Sequence, residues 1–514
     1  MEHFRSIAVM LRHWAGVRPD APAIAVEGVA EHTFASWLDA SSRLAAGLRA
    51  SGVGPGARVG FVGRNAVTWA EVLAAASLVR AAAIPLNWRL SAGETAAVLA
   101  DADIAVLVIE AEYLPLLGRP APDGDRPRVL LPGGEERDYR AWLSSHDSAP
   151  IEVEPDPDDI AIIIYTSGTS GSPKGVELPN RAIAANLAAS APWDIAEGDV
   201  VMVPAPIFHL SGTGWVFYCL GLGAASLYLL DIRAEVVLDV FADSRVDHAL
   251  TVPAVVQSMV QHPTATDRDY PRLRTLIYGG SPMAPTVATA ARELFECDLI
   301  QSYGMTETCG PITFLGPEDH RRGGDRLASA GRAVPGVEVA VFDPATGERR
   351  ATGETGEIWT RSALIMAGYR NQPAELRSVL REDGWFRTGD AGYQDAEGYL
   401  FLCDRVKDMI VSGGENIYPV EVENVLMAHP DVRDVAVIGV PDERWGETVK
   451  ALVIPAERRP EPAEVIEYCR ERLAHYKCPT SVDLVDALPR NPSGKLLKRE
   501  LRAPYWAGRS REIA

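Results

Sequence analysis

Six consecutive residues, Ile160-Ala-Ile-Ile-Ile-Tyr165, form an apolar run that opens directly into Thr166-Ser-Gly-Thr-Ser-Gly-Ser-Pro-Lys-Gly175. A short apolar run bounded by turn residues predicts a buried strand. The loop after it is rich in the groups that hold phosphates. Gly168, Gly171 and Gly175 let backbone N–H groups approach oxygens, Thr166, Ser167, Thr169 and Ser170 offer hydroxyls, and Lys174 supplies a point charge. Each charge-assisted hydrogen bond contributes roughly 1.5–3 kcal/mol, so several together suffice to hold a triphosphate. A Walker A loop is excluded, because Gly175 rather than Ser or Thr follows Lys174. A helix over residues 181–191, capped by Asn180, is predicted to follow the loop.

The residues before this loop alternate between two periods. Phe34 to Ala50 has apolar residues at helical spacing and stops at Gly52-Val-Gly-Pro-Gly56. Residues 58–62 read as a strand, 68–83 as a helix and 104–109 as another strand, which implies a largely parallel sheet with covering helices. Residues 118–158, rich in Pro, Gly, Asp and Glu, read as a surface excursion. Further strand–turn–helix units fall around Val200, Ala249, Leu276 and Leu299. From Gly331 to Leu402 short strands with Gly turns predict a small β subdomain. After Arg405 a helix over 421–429, strands over 432–440 and 449–455, and a helix over 462–473 predict an α+β module of about a hundred residues. The expected fold class is therefore α/β. Residues 1–404 make a large N-terminal domain of two largely parallel subdomains plus the β subdomain, 405–407 a hinge, and 408–514 a small mobile α+β domain.

With 514 residues the chain is too long for one compact core. Lys and Arg total 50 against 70 Asp and Glu, a net charge of −20, which argues against a nucleic-acid-binding surface. A small anionic substrate must then be met by a local positive site. Cys219, Cys297, Cys309, Cys403, Cys469 and Cys478 show no CxxC pair and read as reduced thiols. No apolar run reaches the length of a membrane span, so no transmembrane segment and a cytoplasmic location are expected.

Tyr165 to Val176 resembles the signature of the adenylate-forming superfamily, which includes acyl- and aryl-CoA synthetases, peptide-synthetase adenylation domains and luciferases. Ser170 stands where Thr is more usual and keeps the hydroxyl. Further segments resemble motifs of that family in order, as far as Lys495. Tyr278-Gly279-Gly280-Ser281 resembles its adenine-binding turn. Gln301-Ser302-Tyr303-Gly304-Met305-Thr306-Glu307 resembles the segment that would stack Tyr303 on adenine, touch the α-phosphate with Thr306 and hold Mg²⁺ on Glu307. Gly384 to Asp390 would offer Asp390 to the ribose hydroxyls. Asp404 to Ile410 resembles the hinge strand, with Arg405 near the ribose and Lys407 as pivot. Pro489 to Lys495 resembles the catalytic loop of the C-terminal domain.

The resemblance implies two half-reactions, with ATP, Mg²⁺ and CoA required. A carboxylate attacks the α-phosphate and releases pyrophosphate, with Lys495 bridging the reacting groups; the small domain then turns about Lys407 and admits a thiol. Pro206 to Gly212 resembles the wall of the acyl pocket, with His209 as its candidate catalytic histidine and Gly212, Thr213, Trp215, Tyr278, Gly280 and Met305 around it. Amino-acid-adenylating members place an Asp where His209 stands to pair an ammonium. A His does not serve there at neutral pH, so a non-amino acid is implied, whether medium-chain, aryl or bulky alicyclic. Gly413, Gly414, Trp445 and Lys477 are the candidate CoA contacts. Nineteen residues follow Lys495, too few for an attached carrier domain. A CoA ligase is the leading reading. An adenylating enzyme that loads a free-standing carrier protein and a luciferase-like monooxygenase stay open, as does a homodimer.

Overall fold

The computed structural model describes residues 4–117, 128–130, 139, 142–149, 154–166, 173–190, 193–243, 245–281, 283–405, 408–412, 415–442, 444–490 and 496–507. Among these, four sheets organise the chain. In the first, Ile160–Thr166, Ala82–Leu86, Arg58–Val62, Val106–Ile109 and Arg128–Leu130 run parallel. The second places Thr275–Gly279 between His248–Thr251 and Asp298–Met305, and continues parallel through Val200–Val203 and Ala225–Tyr228 to Pro22–Val26. Antiparallel strands close both edges of this second sheet.

Two helices lie buried in the large core and explain why the two parallel sheets form one body. Nearly every residue of Val67–Leu78 is buried, and so is most of Leu210–Leu222. A helix that is apolar on all sides needs cover on all sides. Val67–Leu78 receives it from strands of both sheets and from the helix Phe34–Ala50. The third sheet, Glu338–Phe342, Gly356–Arg361, Phe386–Gln394 and Leu400–Arg405, is wholly antiparallel and makes the β subdomain expected from the short Gly-punctuated strands. The last surrounds the long hairpin Val432–Asp442 and Gly446–Pro455 and carries its own apolar cluster around Ile410, Val437 and Val465. Across to the larger part, Gln257 donates a hydrogen bond to the Arg433 carbonyl at 2.8 Å. Five of the six cysteines are buried, and no described helix is long and apolar enough to cross a membrane.

The structure corrects several sequence expectations. The helix expected over 68–83 ends at Leu78, because Ala82–Leu86 is already a strand of the sheet. Asn180 does not cap; it is the first residue of Asn180–Ala189, and its amide donates to the Asp156 carbonyl at 3.0 Å. No helix directly follows the phosphate loop. The chain returns as the strand Lys174–Pro179, antiparallel to Ile160–Thr166, with Thr166 opposite Lys174. The expected surface excursion at 118–158 lies partly outside the described residues, yet Tyr139 and Leu143 are buried and Trp142 packs over Gly47. Their i, i+3, i+4 spacing is the signal of a packed helical turn within a polar stretch.

Candidate active site

Parallel strands place all their C-terminal ends at one edge, where open α/β sheets bind ligands. Here two such edges meet. Asn65, just after Arg58–Val62, donates to the carbonyls of Ala205 and Leu229 at 3.2 and 2.9 Å and accepts from Ile207 N–H at 3.0 Å. One side chain thereby stitches the first sheet to the two loops that leave the second.

The first sheet contributes the phosphate-binding candidates. Ser167, Gly168, Thr169, Ser170 and Gly171 lie outside the described residues; Thr166 and Lys174, which flank them, are paired across the strand ladder. Lys174 is buried, donates to the carboxylate of Glu375 and lies 5.3 Å from the Tyr369 ring centroid. Tyr369 donates in turn to Glu307 Oε1 at 3.1 Å. Burial, and then the Glu307 charge, push the Tyr369 phenol above its ordinary value, so it stays a hydrogen-bond donor. Glu307 sits in the short turn Thr306–Thr308, whose position is fixed by the Met366 N–H donating to the Glu307 carbonyl at 2.9 Å. Lys174 and Glu307, expected from separate segments, are thus joined through Tyr369.

The second sheet contributes the nucleoside-binding candidates. Tyr303 donates to Asp390 Oδ2 at 2.7 Å, and Asp390 pairs in register with Arg405. A Cβ at Gly279 would run into Ser302, and one at Gly304 into the Gly310 carbonyl, so only glycine lets these strands approach so closely. Gly280 and Ser281 follow at the strand end, partly open to solvent. Tyr278 and Gln301 point the other way: they are cross-strand partners, both buried, and the Tyr278 hydroxyl lies 2.9 Å from His320 Nε2 within the second core cluster.

Around the candidate acyl pocket, His209 precedes the buried helix Leu210–Leu222 with its ring against Phe208, and Met305 packs half-buried on the large core. Trp215 stacks on Trp193 with centroids 4.6 Å apart, Thr213 donates to the Ile207 carbonyl, and the Gly212 carbonyl accepts from Tyr228 at 2.7 Å. These three are held by packing and by backbone partners.

In the small domain, Lys407, Gly413, Gly414 and Lys495 lie outside the described residues. Ser412 pairs with Gly446, the residue after Trp445, whose ring is 46% exposed, enough to be available to a ligand. Lys477 is held by Glu421 through two contacts of 2.7 and 2.8 Å.

Sequence reasoning missed Tyr369 and Glu375, whose only local signal is Pro373 opening a short helix. It also missed a pair of arginines over Trp88. Arg89 lies 4.8 Å from the Trp88 centroid and 5.8 Å from that of Phe208, with Arg64 5.7 Å from Trp88. Among the described residues neither guanidinium has an ion-pair partner, and burial and Arg64 lower the Arg89 pKa.

Lys174 lies near Tyr369, Tyr369 donates to Glu307, and Tyr303, on the strand that leads into the Glu307 turn, donates to Asp390. The family model of an AMP-binding enzyme matches residues 11–370, and that of the AMP-binding enzyme C-terminal domain matches residues 421–495. The chain belongs to the AMP-binding enzyme family. It is 36% identical over 503 residues to the fatty acid–[acyl-carrier-protein] ligase ScoC of Streptomyces coeruleorubidus, covering 96% of this chain and 95% of that one. It is 38% identical over 495 residues to the feruloyl-CoA synthase of an Amycolatopsis species, covering 96% and 97%. Among solved structures it resembles ATP-bound MatB from Rhodopseudomonas palustris with a TM-score of 0.88 at 28% identity, covering 97% and 99%.

Proposed function

We propose that this chain is an ATP-dependent acid–CoA ligase. A carboxylate oxygen attacks the α-phosphorus of ATP and pyrophosphate leaves, giving an acyl-adenylate. The CoA sulfur then attacks the acyl carbon, the thiol proton is lost and AMP leaves. The observation that supports the reading is the run of contacts from Lys174 through Tyr369 to Glu307, with the Tyr303–Asp390 bond on the strand that leads into the Glu307 turn, in a chain whose relatives are ligases of carboxylic acids.

In this reading Lys174 neutralises the departing phosphates, Thr306 contacts the α-phosphate, Tyr303 stacks on adenine beside Gly279 to Ser281, and Asp390 accepts the ribose hydroxyls near Arg405. Glu307 suits Mg²⁺, a hard cation that keeps waters and phosphate oxygens and needs only one or two carboxylates from the protein. Bound there it would screen the phosphate charge. Lys495 joins the carboxylate to the attacked phosphate, and the part beyond 405–407 turns about Lys407 to bring Gly413, Gly414, Trp445 and Lys477 to the thiol. His209 and Met305 border the acid, which lacks an α-ammonium.

The feruloyl-CoA synthase supports an aryl acid and CoA, whereas ScoC favours a second reading, transfer to a free-standing carrier protein. A panel of acids with ATP and CoA, followed by mass spectrometry for AMP and thioester, decides between them. AMP release only in the presence of a carrier protein would overturn CoA as acceptor.

A further inference from the structure

The cation that must meet a triphosphate already has a carboxylate on it. Lys174 is only 9% exposed, and its ammonium donates to Glu375. The two side chains differ in their access to water: 11% of the lysine side chain is exposed against 37% of the glutamate. Glu375 stands in the first turn of the helix Pro373–Val379. That helix is delivered by a segment fastened to the lysine's own strand. Arg370 N–H donates to the Gly175 carbonyl at 2.8 Å, and Gly368 and Tyr369 pair with Glu177 and Val176. The contact is therefore built into the framework. A buried ammonium without a counter-ion is costly, whereas a half-exposed carboxylate can swing into water at little cost.

We propose that Glu375 is the resident counter-ion of Lys174, neutralising it while the nucleotide site is empty and giving way to the phosphates of entering ATP. It weakens ATP binding by competition and speeds pyrophosphate departure by reclaiming the lysine. It takes no part in the chemistry. The proposal rests on the reading of Lys174 as a phosphate-binding group.

The test is calorimetric binding of MgATP, and separately of pyrophosphate, without acid or CoA. E375Q is expected to bind both roughly fivefold tighter than the unsubstituted chain, the size of effect a partly exposed ion pair provides. E375A should move in the same direction. Damage to the fold would weaken binding, so a gain is not mimicked by a merely structural role. In a K174Q background the E375Q substitution should change neither affinity. Equal or weaker binding by both Glu375 variants, with normal binding by the unsubstituted chain, overturns the counter-ion role alone. Absence of ATP binding by the unsubstituted chain overturns the phosphate site, and the counter-ion role with it.

Discussion

The Tyr303 hydroxyl donates to Asp390 across 2.7 Å, tying the parallel strand Asp298–Met305 to the antiparallel strand Phe386–Gln394. The ring proposed to stack on adenine therefore also orients the carboxylate proposed to hold the ribose. Tyr303→Phe keeps the stacking face and loses this bond. It should weaken MgATP binding roughly fivefold and lower stability by about 1 kcal/mol. Calorimetric titration and urea unfolding measure the two effects; unchanged ATP affinity would separate Tyr303 from Asp390.

The contrast between Lys174 and Glu375 shows what sequence can carry. Phosphate binding by a loop demands small residues, hydroxyls and a cation in one contiguous stretch, so the 166–175 segment is legible from its letters. Its counter-ion is 201 residues away and announces itself by no pattern, because a tertiary ion pair constrains neither neighbour locally. Strand direction was similarly hidden. Residues 278 and 279 must face opposite sides by the two-residue pleat. Yet only the assembled sheet shows that Tyr278 enters the core beside His320 while Gly279 lies close against Ser302. Asn180 looked like a cap because its residue type suits one, but the chain first makes the strand Lys174–Pro179, which no periodicity separates from loop.

Buried histidines should make the fold acid-sensitive. His320 is 4% exposed; its Nδ1 faces the Gly316 carbonyl at 2.8 Å, which only accepts, so Nδ1 carries the proton and Nε2 accepts from Tyr278. Burial lowers its pKa in the folded state. The unfolded chain then binds more protons, so the contribution is complete above the unfolded value of about 6.5. It is lost as pH falls toward the depressed folded value. His248 and His429 shift the same way, for the same reason. Urea unfolding at pH 7.5 and 5.5 should show lower stability in acid, with the difference reduced but not abolished in His320→Gln. An identical difference in the variant would remove His320 from the account.

Glu71 is fully buried and accepts from Tyr139 at 2.6 Å, with His32 Nε2 2.9 Å away and Ser36 Oγ 3.0 Å from the other ring nitrogen. These bonds tie Tyr139 to the helices Phe34–Ala50 and Val67–Leu78. Glu71→Ala leaves two buried polar partners and a cavity, so it should cost about 3 kcal/mol or more. Tyr139→Phe removes one donor only and should cost about 1–2 kcal/mol. Thermal unfolding ranks them; equal shifts would mean that the carboxylate is not the hub.

The final prediction separates the two proposed half-reactions. Leu496, next to Lys495, bridges Arg490, and Arg490 pairs with Asp434 at 2.7 Å. Beyond it, Lys498 pairs with Glu423 at 3.0 Å and Arg502 with Asp408 at 2.7 Å, one residue past the proposed pivot Lys407. The residues that follow Lys495 are thus tied to Glu423 and to Asp408, so a turn about the proposed pivot would move them with Asp408. Lys495→Ala should lower acyl-adenylate formation a hundredfold or more, the scale of losing a charge that stabilises the transition state. It should leave thioester formation from supplied acyl-adenylate within about twofold. Lys407→Pro, which fixes φ, should show the reverse. Pyrophosphate release and thioester yield, measured separately in each variant, read the two steps. Equal loss of both steps in Lys495→Ala would remove it from adenylation, and normal overall turnover in Lys407→Pro would move the pivot elsewhere.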